Sequence, residues 1–132
     1  MTIHIHKDDL PADIDVGDMV AIDTETMGLN PHRDRLCLVQ LSGGDGDAHL
    51  VKIAKPQMPS PNLASLLANP KVTKLFHFAR FDIASLSHGI GPLFGPIYCT
   101  KIASKLTRTY TDRHLSLIHI SEPTRPRLIS YA

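Results

Sequence analysis

Three short apolar runs between residues 19 and 53 constrain this chain most, because each ends too soon to be a helix. Met19-Val20-Ala21-Ile22, Leu36-Cys37-Leu38-Val39-Gln40-Leu41 and His49-Leu50-Val51-Lys52-Ile53 have strand length and are rich in branched residues. Leu29-Asn30-Pro31 and the charged His32-Arg33-Asp34-Arg35 form the first break, and Gly43-Gly44-Asp45-Gly46 the second. Strands at this spacing predict a three-strand antiparallel meander, with the middle of the Met19 run buried. Ahead of it, Thr2-Ile3-His4-Ile5-His6 alternates apolar and polar and predicts a further strand of edge type.

Past residue 55 the period changes. A Pro-rich connection leads to a short helix over Asn62 to Leu67 that must stop before Pro70. Val72 to Phe78 predicts another strand. Ala79, Ile83, Leu86 and Ile90 then recur every three or four residues, predicting a helix that Gly89 closes. Pro96 to Cys99 predicts a last short strand, with Thr100 as N-cap of a helix from Lys101 to about Leu106. Hairpin-linked strands followed by alternating helix and strand give an α/β fold, a mixed sheet with packed helices. A hydrophobic fraction of 42% with 20% charged residues is ordinary for a globular domain. Apolar stretches are too short to span a bilayer, and the acidic N-terminus lacks a signal-peptide core, so a cytoplasmic location is expected. Cys37 and Cys99 read as buried free thiols in strand-like stretches, not as a disulfide. The net charge of +1 gives no basic excess that would itself attract a polyanion.

The tail is of another kind. Leu115-Ser116-Leu117-Ile118-His119-Ile120-Ser121-Glu122-Pro123-Thr124-Arg125 matches the translation, in one frame, of a sequencing-library adapter. Ile129-Ser130-Tyr131-Ala132 matches the primer sequence that follows the variable index in such libraries. Residues 115–132 are therefore expected to be an artefact and not a domain, leaving residues 1–114 as the front of one. Setting aside Arg125, Arg127 and Glu122 leaves that front with no net charge.

The chemistry-bearing residues lie at the end of the Met19 run. In a strand, positions i and i+2 share a face, so Asp23 and Glu25 point together. Two carboxylates side by side on a mostly buried strand are costly without a cation between them, and hard oxygen ligands favour Mg²⁺ or Mn²⁺. Spacing alone leaves a bland alternative open, because D-x-E is common by chance and such a pair often sits at an exposed turn.

Two stretches go beyond spacing. Ala21-Ile22-Asp23-Thr24-Glu25-Thr26-Met27-Gly28-Leu29 closely resembles the first motif of acidic-residue 3′→5′ exonucleases with a ribonuclease H-like fold, where a D-x-E strand runs into a T-x-G-L turn. Phe76-His77-Phe78-Ala79-Arg80-Phe81-Asp82 resembles their second motif, H-N-A-x-F-D, which opens the helix bearing the third carboxylate. The segments at Tyr98–Lys101 and Arg108–His114 are similar to the continuation in bacterial ribonuclease D, so the resemblance spans residues 1–114.

The resemblance implies a ribonuclease H-like sheet and a set of roles. Asp23, Glu25 and Asp82 become metal ligands and catalytic residues. In a two-metal scheme, ions about 4 Å apart activate a water and stabilise the leaving 3′ oxygen. Thr26, Met27 and Leu29 would lie against the terminal nucleotide and wedge its base without reading it, which suits single-stranded RNA 3′ ends such as tRNA precursors. His77, Phe78 and Arg80 complete the substrate-facing set, with His77 as a supporting residue and Arg80 as a phosphate contact. Phe78 stands where the wider superfamily often has Asn. The tyrosine subclass has a third motif, Y-x-x-x-D, with a fourth metal-binding Asp and a Tyr that orients the water. It has no counterpart here, because Tyr110 and Asp112 lie too close together and too early. The chain as written is thus expected to have little or no nuclease activity. An inactive nucleic-acid-binding scaffold of this fold and a proofreading deoxyribonuclease are the alternatives. His4 and His6 are too few for a zinc site.

Overall fold

The computed structural model describes residues 1–109, and the expectations for Tyr110 to His114 and for residues 115–132 lie outside them. Six strands and three helices follow in the order β1 (Thr2–Lys7), β2 (Met19–Thr26), β3 (Leu36–Ser42), β4 (Asp47–Lys52), α1 (Pro61–Ala68), β5 (Thr73–Phe76), α2 (Ala79–Gly89), β6 (Ile97–Cys99) and α3 (Thr100–Thr107). They form one mixed sheet of spatial order β1-β4-β3-β2-β5-β6. The meander is present, with β2 and β4 antiparallel to β3, and β1 lies at the sheet edge. β1 runs parallel to β4, and β5 and β6 add in parallel on the other side of β2. The α/β fold is the one expected.

One face of the sheet carries the core. Val20 and Ile22 of β2, Val39 and Leu41 of β3, Val51 of β4 and Phe76 of β5 are buried together with Leu63 and Leu67 of α1 and Leu86 of α2. Each such side chain contributes roughly 1.5–3 kcal/mol over leaving it in water. α1 begins with Pro61, and its free backbone amides at Asn62 and Leu63 donate to the Asp9 carboxylate (3.0 and 2.8 Å), which ties the β1–β2 connection to the helix.

Several expectations need correction. β2 is not buried through its middle: Val20, Ile22 and Thr24 are buried while Met19, Ala21, Asp23 and Glu25 are exposed, so only one face is covered. The cause is the period of two, which a run of apolar residues hides. β5 stops at Phe76, two residues early, because Phe78 takes a left-handed conformation (φ 63°, ψ 51°) as N-cap of α2. Cys99, not Thr100, is the N-cap of α3, since the Thr100 hydroxyl turns back to the Phe76 carbonyl (3.3 Å) and the His77 ring (2.8 Å). Gly89 is the last residue of α2, with Ile90 as C-cap, and its role is close packing, as an added Cβ would press on the Leu36 side chain. Both cysteines are free, as expected, but half-buried. No helix among the described residues is long and apolar enough to cross a membrane.

Candidate functional site

β2 and α2 carry the three acidic residues, with Asp82 within electrostatic reach of Asp23. Asp23 and Glu25 project from the exposed face of β2, and a bulge between Glu25 and Thr26 turns the strand out of the ladder just beyond them. Asp82 lies in the first turn of α2, where a carboxylate is favoured by the helix dipole. It is buried, with 5% of its surface exposed. The hydroxyl of Thr24, between Asp23 and Glu25 on the opposite face of β2, donates to Asp82 Oδ1 at 2.6 Å. Thr24 thus pins the helix acid to the strand that bears the other two.

Burial pushes the Asp82 carboxyl above its ordinary range, and the charge of Asp23 pushes it the same way, against the Thr24 hydrogen bond. Asp23 is itself steadied by Gln40 of β3, whose amide donates to Asp23 Oδ2 at 3.3 Å. Among the described residues no group of three or more His, Cys, Asp or Glu side chains is placed to hold a metal ion, so Asp23, Glu25 and Asp82 are not gathered into a ligand set. The acids instead approach from two elements, with one oxygen of Asp82 engaged by Thr24. The expectation that Asp23 and Glu25 sit on a mostly buried strand is therefore replaced: they face outward, and the buried member of the set is Asp82.

The loop after β2 is held stiffly. Thr26 donates to the Gly28 carbonyl (2.6 Å), and the Met27 amide to the Arg35 carbonyl (3.0 Å). Asp34 receives a two-point bond from Arg33 (2.7 and 2.8 Å) and one from the Asn30 amide (3.0 Å), which hold its carboxyl at about 2. A Cβ at Gly28 would collide with that carboxylate, which would have to move to admit any other residue. Met27 and Leu29 are left 70% and 84% exposed on this loop.

On the other side, His77 is bound to Thr100 and lines the open sheet face with Asp23 and Gln40. Phe78 is half-exposed beside the start of α2, and the Lys101 ammonium lies 3.9 Å from its ring centre, a cation–π contact. Arg80 is exposed on the first turn of α2. Sequence reasoning missed Thr24, Gln40 and Lys101. Thr24 alone carried a signal, as the buried-face residue between two acids.

A mixed sheet whose D-x-E strand meets a helix opening on a buried Asp defines a class, the 3′-5′ exonuclease domain with a ribonuclease H-like fold. A family model described as 3′-5′ exonuclease matches residues 7–122. Ribonuclease D of Acidiphilium cryptum is 35% identical over 85 residues, covering 64% of this chain and 21% of the relative. The structure of NrnC from Brucella melitensis with bound Mg²⁺ aligns with a TM-score of 0.85 at 57% identity, over 94% of this chain and 62% of that one. The same protein bound to pGG aligns with a TM-score of 0.86 at 55% identity, over 100% of this chain and 65% of that one. The chain belongs to the 3′-5′ exonuclease family, in its ribonuclease D-like branch. It spans about a fifth of the length of the curated relatives it matches and about three fifths of NrnC.

Proposed function

We propose that this chain carries the front of a 3′→5′ exoribonuclease centre, in which Asp23, Glu25 and Asp82 hold Mg²⁺ or Mn²⁺, two ions in the intact domain. The observation that carries the reading is Asp82, a buried carboxylate locked by Thr24 and forced upward in pKa by burial and by Asp23. A buried carboxylate within electrostatic reach of a like charge is relieved by a divalent cation. When bound, the ions supply a water nucleophile usable near neutral pH and stabilise the leaving oxygen.

The rest follows from this chain's own side chains. Gln40 fixes the rotation of Asp23, and Thr24 that of Asp82. Leu29 and Met27 press on the terminal base of a single strand without reading it, and Phe78 offers a second apolar face held by Lys101. Arg80 contacts a phosphate, and His77 orients Thr100 and the open face next to Asp23. Support for RNA as substrate comes from the ribonuclease D relatives, and for metal from NrnC with bound Mg²⁺. tRNA precursors are one such substrate class.

Residues 115–132 are, in this reading, adapter translation, and the domain continues from His114 through its own codons to a Y-x-x-x-D motif. The test uses a 5′-labelled oligouridylate. A form in which the genomic codons follow His114 should shorten it from the 3′ end only with Mg²⁺ or Mn²⁺, and the 132-residue chain should shorten it little or not at all. Persistent trimming by Asp23→Ala in the extended form would sink the assignment. Tight binding with no trimming by the extended form would favour the inactive scaffold.

A further inference from the structure

Away from the acids, a cavity of about 190 Å³ opens between the loop after β2, the chain leaving β4 and the second half of α2. Its wall includes Ser85, whose hydroxyl is buried and has no hydrogen-bond partner among the described residues. A buried hydroxyl left without a partner costs about 1–3 kcal/mol. The space is several times the ~30 Å³ share of one water, so a polar guest has room.

The remaining wall sets donors among the apolar Pro31, Leu36, Ile53 and Pro56. Arg35 gives one N–H to the Ile53 carbonyl (2.9 Å), which fixes its guanidinium, and among the described residues it pairs with no carboxylate. His32 of the loop and His88 of the last turn of α2 meet edge to face with centres 5.1 Å apart. Gln57 adds an amide. One carboxylate, Asp34, lies in the wall, and both its oxygens are taken by Arg33 and the Asn30 amide. Free donors and an unpaired cation around a space of this size select a compact oxyanion.

We propose that this cavity binds a phosphoryl oxyanion, held by the Ser85 hydroxyl, the Arg35 guanidinium and the imidazoles of His32 and His88. Ser85 follows Asp82 by three residues on α2, one turn along the helix, and the cavity loop continues directly from Leu29. A bound phosphate would therefore sit beside the acid centre and not in it. The oxyanion assignment stands on the cavity; only its source, a nucleic-acid backbone or a released nucleoside monophosphate, rests on the exonuclease reading.

The experiment follows the imidazole Hε1 resonances of His32 and His88 in the full chain with EDTA present. Inorganic phosphate should shift both with saturation, while sodium chloride at equal ionic strength should not. Ser85→Ala should weaken phosphate about tenfold, the loss of one hydrogen bond to a charged group, and Arg35→Gln by at least as much. Ser85 has no partner to lose, so its Ala form should melt no lower than the parent, and that melt is the control for folding. Equal responses to phosphate and chloride, or unchanged phosphate affinity in both variants, would overturn the proposal. Uridine 5′-monophosphate and an oligouridylate without terminal phosphate are the competing arms. Displacement by the oligonucleotide assigns the site to the backbone, and displacement by the monophosphate alone assigns it to the released nucleotide. Absence of metal-dependent trimming would leave the phosphate shifts untouched, so the two readings fail separately.

Discussion

Lys74 is fully buried in the middle of β5, and its Nζ donates to the carbonyls of Asn69 (2.5 Å) and Phe94 (2.6 Å) with no carboxylate partner among the described residues. It rivets the end of α1 to the loop before β6. Burial lowers its pKa from 10.5, so the fold disfavours the charged form. The sign follows directly: between the folded and unfolded pKa values the unfolded chain holds the extra proton, so stability from this group rises with pH and is lost as pH falls. Lys74→Met cannot titrate. The stability of the parent relative to Lys74→Met, from urea melts, should therefore grow as pH is raised from about 8 towards the unfolded value. A difference that is flat or shrinks with pH would contradict this. The sequence gives little warning of such a residue, since a lysine in a strand ordinarily reads as a solvent-facing charge. Asp23, Glu25 and Asp82 were singled out by resemblance to two motifs, each of which is a short local stretch of sequence. Thr24 and Gln40 were not, because they become partners of those acids only when α2 and β3 pack beside β2.

At the scale of elements, β1 is the part most exposed to conditions. It is an edge strand whose Ile3 and Ile5 are open to solvent, and its other face carries His4 and His6. The parallel register sets His49 of β4 beside His4, and the three rings stack with centres 5.0 to 6.4 Å apart. His6 and His49 are hydrogen-bonded at 3.0 Å, and His4 pairs with Asp47 at 3.1 Å. Burial first, then the neighbouring His49 and His4, lower the pKa of His6. A depressed His stabilises the fold above its unfolded pKa of 6.5 and loses that contribution as pH falls through the folded value. Asp47, depressed by His4, acts in the same direction at still lower pH. Acidification should therefore loosen β1 before the centre of the sheet. Hydrogen exchange corrected for intrinsic rates should show β1 amides losing protection as pH falls below 6.5 while those of β3 keep theirs, and His6→Gln should remove the difference. Equal protection of both strands across this range would refute it. The sequence predicted β1 as an edge strand, yet its pairing with β4 had no local signal, because a parallel partner is chosen by packing across 40 or so residues of chain.

On the scale of the whole molecule, strand existence was readable from period and turn residues, whereas the order β1-β4-β3-β2-β5-β6 was not. The order matters to function because it puts β2 at the meeting point of the antiparallel meander and the parallel strands, with α2 crossing beside its acidic end. That junction holds a carboxylate at a cost: burial raises the pKa of Asp82 against the Thr24 hydrogen bond, and the charge of Asp23 adds to the rise. A cation bound there acts on the folded state alone, because the three acids are scattered in the unfolded chain, and so must raise global stability. At a free Mg²⁺ concentration ten times its dissociation constant the gain is about 1.4 kcal/mol, or roughly 5–10 °C in Tm for a domain of this size. Calorimetry in EDTA and then in millimolar Mg²⁺ should show this rise, and matched ionic strength in sodium chloride should not reproduce it. Asp82→Asn should melt higher than the parent in EDTA, since it removes a buried repelled charge, and should no longer respond to Mg²⁺. A parent Tm indifferent to Mg²⁺ and Mn²⁺, or an Asp82→Asn form that still gains from them, would separate these acids from metal binding while leaving the family assignment intact.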